Sequence, residues 1–408
     1  MSEDRPAAEP RRAALVFIFI TVMLDMLALG IIIPVWPRLV ANFLAGDSAR
    51  AAEIFGLFGT AWALMQFVIS PIQGALSDRF GRRPIILLSN LGEGLDYFVM
   101  AWAPSLGWLL LGRIISGATA ASLSTAFAYI ADVTPPEKRA GRYGMLGAAF
   151  GIGFILGPAV GGLLGEFSPR LPFLFAGALS LANFVYGFFV LPESLIPERR
   201  APFRWRRANP VGAFVLLRSH PELSGLAVIY FLGQLAHVVL PSTFVLYAGY
   251  RYGWTERVVG LTLAGVGVCS MIVQAGLVGR LVARLGERRA LVLGLLFGAA
   301  GFAIYGIAPT GGWFLIGVPV MSLWGLANPA TQGLMTRLVG SSEQGQLQGA
   351  NSSLTGIAGL VGPSLFTLTF AFAITPARDW HLPGAPFLLA ALMLTAALGL
   401  AYRMARAG

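Results

Sequence analysis

The sequence predicts an all-α polytopic membrane protein: twelve transmembrane helices in two pseudo-symmetric six-helix bundles. Three observations predict it. Hydrophobic residues make up 56% of the 408 residues and the four charged types only 12%, about half the charged share of a soluble domain. A compact chain this poor in charge could not wet its own surface, so most of that surface faces lipid. Twelve apolar runs reach the roughly 20 residues that a spanning helix needs. They fall into two groups of six, separated by one long polar stretch. The 51 glycines fit this class, because small residues let helix backbones approach closely in a bilayer.

The runs of the first group are 14–35, 51–76, 84–103, 106–131, 141–165 and 170–192. Those of the second are 222–249, 256–283, 289–308, 311–337, 345–374 and 383–405. This divides the chain into a tail (1–13), a first bundle (14–192), a linker (193–221) rich in arginine, and a second bundle (222–408). Lys and Arg set the orientation: 22 lie on the side of the termini and the linker and 6 on the other. Both termini are therefore expected in the cytoplasm, with the chain multi-pass in the inner membrane. The first run is too long for a signal peptide and carries Asp25 mid-span, so it is expected to be retained.

Several chemistries are disfavoured. The net charge of +10 is scattered in short clusters between apolar runs, so no nucleic-acid partner is expected. Cys269 is the single cysteine, which excludes an internal disulfide and any multi-thiolate metal site. His220, His237 and His381 lack metal-ligand spacing. There is no Gly-x4-Gly-Lys-Ser/Thr loop, so neither ATP use nor an enzymatic reaction is expected.

The two halves repeat at an offset of 205 residues. Gly81 matches Gly286, Gly107-Trp108 matches Gly312-Trp313, Gly144 matches Gly349 and Gly157-Pro158 matches Gly362-Pro363. Parallel six-helix repeats with a binding site between them near midplane are a transporter design that works by rocking.

Three segments carry specific chemistry. The stretch from Gly74 through Asp78-Arg79-Phe80-Gly81-Arg82-Arg83-Pro84 links the second and third runs. Its acid ends a helix and can meet the positive end of a neighbouring one, its arginines anchor the polar face, and Gly81 permits a tight turn. Arg113 lies inside the fourth run. In the fifth, Gly153, Gly157, Pro158, Gly161 and Gly162 make a glycine face with a proline bend.

The loop resembles the signature of the major facilitator superfamily, and the glycine face is similar to the antiporter motif of its drug-exporting members. The similarity extends over nearly the whole chain to the tetracycline–proton antiporters, through Leu24-Asp25, Ala63-Leu-Met-Gln66, Leu95-Asp96-Tyr97, Ala128-Tyr-Ile-Ala-Asp132, Gly233-Gln234, Gly253-Trp254 and Gln346-Leu-Gln348-Gly349. The resemblance implies coupling and gating roles for Asp25, Asp78, Arg79, Asp96 and Arg113, and places Gln66 on the drug path. It also implies a monomer. Tetracycline exporters carry a histidine in the eighth span and an aspartate in the ninth; Ser270 and Gly298 stand there in this chain.

Ionisable residues inside a membrane are costly and functional by default. The deep ones, Asp25, Glu93, Asp96 and Arg113, all fall in the first half. The third and fourth runs form a hairpin turning near Pro104, with Asp96 eight residues before it and Arg113 nine after. At about 1.5 Å per residue the two should share a depth. Glu93, three residues from Asp96, should share its face. The guanidinium can hold one carboxylate ionised while the other, desolvated, carries a proton. Asp25 is expected to stand alone. Two further readings stay open: a purely structural Asp96–Arg113 pair, and an Asp25 that attracts a cationic substrate. The second half offers amides and aromatics instead, with Gln234, His237, Gln332 and Asn351 as cavity walls alongside Gln66.

The expected function is proton-coupled efflux of tetracycline or a related amphiphilic drug. No resident cofactor is expected; protons are the coupling ion, and a tetracycline can arrive as a magnesium chelate. The alternatives are a proton-coupled uptake symporter for a small metabolite and, from another class, a non-transporting receptor.

Overall fold

The computed structural model describes residues 12–120, 122–200, 221–340, 343–375 and 381–407. Among them the chain is helical throughout, without strands. The first half contains α1 (Arg12–Ile32), α2 (Trp36–Asn42), α3 (Ser48–Phe80), α4 (Arg82–Ala101), α5 (Leu106–Thr119), α6 (Ser122–Val133), α7 (Pro136–Phe167) and α8 (Leu171–Val190). The second contains α9 (Pro221–His237), α10 (Val239–Tyr252), α11 (Glu256–Ile272), α12 (Gly279–Leu285), α13 (Glu287–Ile307), α14 (Gly311–Ser322), α15 (Ala327–Arg337), α16 (Gln344–Ile374) and α17 (Ala385–Ala407). Arg204, Arg206, Arg207 and most of the expected linker lie outside the described residues.

Eleven segments are long and apolar enough to cross a membrane. The twelfth span is α4, a 20-residue helix carrying Arg82, Arg83, Glu93 and Asp96. Its charges lower its hydropathy. It nevertheless packs against α5 and α8, and its Asp96 is fully buried.

Repetition extends to irregularities that the hydropathy pattern does not show. The fourth span breaks after Thr119, where Ala120 leaves helical geometry. The tenth breaks at the same offset of 205 residues, in the 3-10 turn Leu323–Leu326 between α14 and α15. Gly81 (φ 109°) and Gly286 (φ 78°) make equivalent turns in the left-handed half of backbone space, which strains residues bearing a Cβ. Beside these turns stand two ion pairs at equivalent positions with opposite polarity. Arg82 Nε meets Asp132 Oδ2 at 3.0 Å in the first half. In the second, Glu287 Oε1 meets Arg337 at 2.9 Å.

The halves meet along two seams, α7 against α11 and α3 against α16. Both are tight at the end away from the Asp78–Arg83 loop. A Cβ on Gly162 would collide with the Glu256 carbonyl, and one on Gly59 would stand 2.9 Å from Pro363 Cβ. Thr60 and Ser364 hydroxyls meet at 2.8 Å. Two charge pairs reinforce this far end: Arg38 with Glu256 at 2.7 Å and Arg257 with Glu166 at 3.9 Å. Toward the loop end the same helices part. Gly141, Gly144 and Gly147 of α7, and Gly276 and Gly279 beyond α11, have no heavy atom within 4 Å of where a Cβ would lie.

Candidate functional site

The hairpin of α4 and α5 brings Asp96 and Arg113 together as their spacing predicts. Arg113 Nη2 lies 3.5 Å from Asp96 Oδ2 and 3.2 Å from Met100 Sδ. Both charged side chains are buried, Asp96 completely. A Cβ on Gly112 would stand 2.7 Å from Asp96 Oδ1, so the carboxylate is packed directly on the α5 backbone. Arg113 also lies over the Trp36 ring, its Cζ 5.0 Å from the centroid. Glu93, one turn before Asp96, is within electrostatic range of Asp25, Asp96 and Arg113 together. Of the three acids on α1 and α4, Asp96 is the one in contact with the guanidinium.

Asp25 departs from the expectation that it stands alone. Asn183 of α8 donates from Nδ2 to Asp25 Oδ1 at 2.9 Å, and to the Thr21 carbonyl at 3.3 Å. Both amide hydrogens are thereby used, and because the amide carries no charge it orients the acid without neutralising it. Asn183 is fully buried. A single Asn in the apolar run 170–192 was its only sequence signal.

The loop segment is organised around Arg82. Its guanidinium donates to Asp132 at 3.0 Å, to Asp78 at 2.6 Å and to Ser77 Oγ at 2.9 Å. Asp78 therefore meets the start of the next helix through the side chain of Arg82, the first residue of α4, and among the described residues it accepts no backbone amide there. That N-terminal position belongs to Glu193, which the sequence reading assigned to the linker. Its carboxylate accepts from the Arg82 amide at 2.8 Å and the Arg83 amide at 3.3 Å, capping the positive end of α4. Ser194 Oγ reaches Asp132 at 3.1 Å. Arg83 donates to the Phe188 carbonyl at 2.6 Å, and Arg79 lies over the ring of Phe80. Gly74 faces open space, so close approach does not account for it.

The glycine face of α7 is a contact surface along its length. Gly153 meets Met23 and Met26, Gly157 meets Gly30, and Gly161 meets the Ile31 carbonyl, all on α1 and its C-terminal end. On the other side, Gly162 and Pro158 meet Glu256 and Gly260 of α11. Side chains larger than hydrogen would force these backbones apart.

The expected cavity walls are less tightly assembled. His237 lies tilted against Trp324 with ring centroids 5.7 Å apart, and its side chain is exposed. Gln332 Nε2 bonds Asn328 at 3.3 Å. Asn351 is buried, its amide atoms without hydrogen-bond partners among the described residues. Gln66 and Gln234 are half-buried, and no hydrogen bond among the described residues joins them to the acids. The position of Gly298 is closed: a Cβ there would meet Trp324 and Leu394 at 2.7 Å. Outside the bundle, between α4 and α5, a groove of about 680 Å³ is lined by Leu95, Trp102 and Trp108, with Asp96 behind them.

Known proteins place this arrangement. The description Major Facilitator Superfamily matches residues 18–363. The class C tetracycline resistance protein of Escherichia coli is 38% identical over 371 residues, covering 90% of this chain and 91% of that protein. The class G protein of Vibrio anguillarum is 36% identical over 375 residues, covering 90% and 93%. Among solved structures, the human organic anion transporter MFSD10 (TETRAN) aligns with TM-score 0.70 at 23% identity, covering 96% of this chain and 99% of that one. A bacterial homologue of the human lysosomal transporter Spinster aligns with TM-score 0.77 at 15% identity, covering 97% of each; at these identities the likeness concerns the fold. A family match over most of the chain, relatives above one-third identity along nine-tenths of it, and twelve spans in two repeats lead to one statement: the chain belongs to the Major Facilitator Superfamily.

Proposed function

We propose that the protein exports tetracycline, or a related amphiphilic drug, in exchange for protons by alternating access. The observation that carries the proposal is the buried cluster of Asp25, Glu93, Asp96 and Arg113, in a chain 38% identical to a tetracycline resistance protein. Three carboxyls in one membrane-spanning region with a single arginine cannot all be ionised at low cost. Taking up or releasing a proton changes the net charge of the cluster, and that change can bias the two access states.

Positive-inside counting assigns the loop end, where the seams part, to the cytoplasm. The termini and the 193–221 linker then lie on that side of the inner membrane, between bundles at 14–192 and 222–408. Drug enters between the halves from the cytoplasm and meets the amide and aromatic surface of Gln66, Gln234, His237, Gln332 and Asn351. Arg82, with Asp78 and Asp132, closes this end when the halves rock. The glycine face of α7 seals the far end in the present state. Protons arriving from the far side load the carboxyls and drive the return. The working unit is a monomer, and a magnesium chelate of tetracycline is a form in which the drug can arrive.

The test is proton movement in everted vesicles with an acid interior, before and after tetracycline with magnesium. Drug-dependent loss of the pH gradient is expected with the parent protein and not with Asp25→Asn. No drug-dependent loss, with folded protein confirmed in the membrane, would remove tetracycline as substrate. An unchanged response in Asp25→Asn would remove that residue from coupling.

A further inference from the structure

We propose that the short helix α2 ties the buried Asp96–Arg113 pair to a charged clasp across the far-end seam. Trp36 is the positioning residue for Arg113, and Arg38–Glu256 is the clasp. This rests on the alternating-access reading and not on the identity of the drug.

Arg113 is a buried cation short of hydrogen bonds. Its contact with Asp96 is 3.5 Å long, its other partner is the sulfur of Met100, and its Nε has no partner among the described residues. The face of Trp36 supplies what these contacts do not, since a desolvated guanidinium over an indole is attracted by the ring quadrupole. The ring itself is held on three sides: Phe58 stacks on it at 5.9 Å, Phe173 meets it edge-on at 5.8 Å and Phe55 lies at 6.3 Å. Trp36 cannot follow a moving Arg113 unless α2 moves as well.

Arg38 stands two residues further along α2. Successive helical residues turn by about 100°, so Trp36 and Arg38 lie on nearly opposite faces of one short rod. Trp36 faces its own bundle; Arg38 crosses the seam to Glu256, the first residue of α11, at 2.7 Å. The Glu256 side chain is only 10% exposed, and its stem sits 3.2 Å from where a Cβ on Gly165 would be. A buried carboxylate deprived of its cation is strongly disfavoured, so separating Arg38 from Glu256 opens the seam. Protonation of Asp96 removes the carboxylate's hold on Arg113, and the guanidinium then settles on Trp36 and keeps α2 and the clasp in the closed arrangement seen here. An ionised Asp96 draws the guanidinium off the ring and loosens α2, so loading a proton shuts the far end, as the return step requires.

Val35 reports on the seam: it is fully buried and packs on the Gly165 position. In a Cys269→Ser, Val35→Cys background, right-side-out vesicles without drug are labelled with a membrane-impermeant maleimide. Glu256→Gln and Trp36→Leu are each expected to speed labelling about tenfold, the response to a shift of about 1.4 kcal/mol between states. Trp36→Phe, which keeps an aromatic face, should stay near the parent rate. Exchange of charges in Arg38→Glu with Glu256→Arg should restore slow labelling, which guards against a fold defect in the single variants. Asp96→Asn, which mimics the protonated acid, should slow labelling in the parent and leave the rate of the Trp36→Leu background unchanged.

An equal effect of Asp96→Asn in both backgrounds, or faster labelling in the parent, would overturn the link through Trp36. Parent-like labelling in Glu256→Gln would overturn the clasp. Because no drug is present, neither result depends on whether tetracycline is the substrate.

Discussion

The two halves of this transporter share a scaffold and differ in where they place charge. At the turns after the second and eighth spans, both keep an ion pair at equivalent positions, Arg82–Asp132 and Glu287–Arg337, with the signs exchanged. What the fold requires there is a bonded pair that fastens the turn to the following hairpin; either polarity meets that need. Inside the membrane the halves are not interchangeable. The first buries Asp25, Asp96 and Arg113. The second fills the corresponding space with rings: Tyr305 stacks on Phe314 at 4.0 Å, and Phe387, Tyr247 and Phe302 close around them. Even the Gly298 site is occupied by the Trp324 indole. The buried acids are concentrated in one half, and the other presents a firmly packed aromatic core.

That contrast can be broken most severely at Arg113. Arg113→Ala leaves Asp96 buried without its cation and should cost about 3–5 kcal/mol, with loss of drug–proton exchange. Thermal unfolding in detergent and vesicle exchange would show both; a stable, active variant would mean that the charges in the first half are dispensable. The surface pairs sharpen the comparison next. Arg82 holds three partners at a site 11% exposed, so Arg82→Ala should cost about 1.5–3 kcal/mol. Arg337, 74% exposed, should cost less than about 1 kcal/mol on the same change. Equal losses would show that the reversed pair is not a weaker copy. The smallest effect tests the aromatic half. Tyr247 donates to the Tyr305 carbonyl at 2.8 Å, and Tyr247→Phe should cost about 1 kcal/mol in stability with exchange unchanged. A loss of exchange at full stability would place transport chemistry in the second half.

The spacing of Asp96 and Arg113 about Pro104 was sufficient to pair them, because a hairpin of two straight helices converts sequence distance into depth. The Gly81 and Gly286 turns were legible for a similar reason, since a tight turn after a helix is a local event. Asn183 beside Asp25, and Glu193 on the α4 amides, were not legible. Their partners lie 158 and 111 residues away, and neither residue type announces a partner at that distance. The break after Thr119 was hidden as well, because hydropathy averages over a window and runs through it. Trp36 was not legible either, because its ring lies beneath Arg113 of a helix far along the chain.

By itself the sequence determined that this chain lives in a membrane, that it crosses twelve times in two repeats, and that its deep charges lie in one of them. Those are properties of composition and period, set by the cost of charge in lipid and the length of a spanning helix. Only the tertiary structure decided which ring lies under Arg113, which amide holds Asp25, and which end of the molecule is shut. Each is a contact between helices far apart in the chain. Packing geometry at a few ångströms, which no one-dimensional pattern contains, selects among the many pairings that the same spans allow.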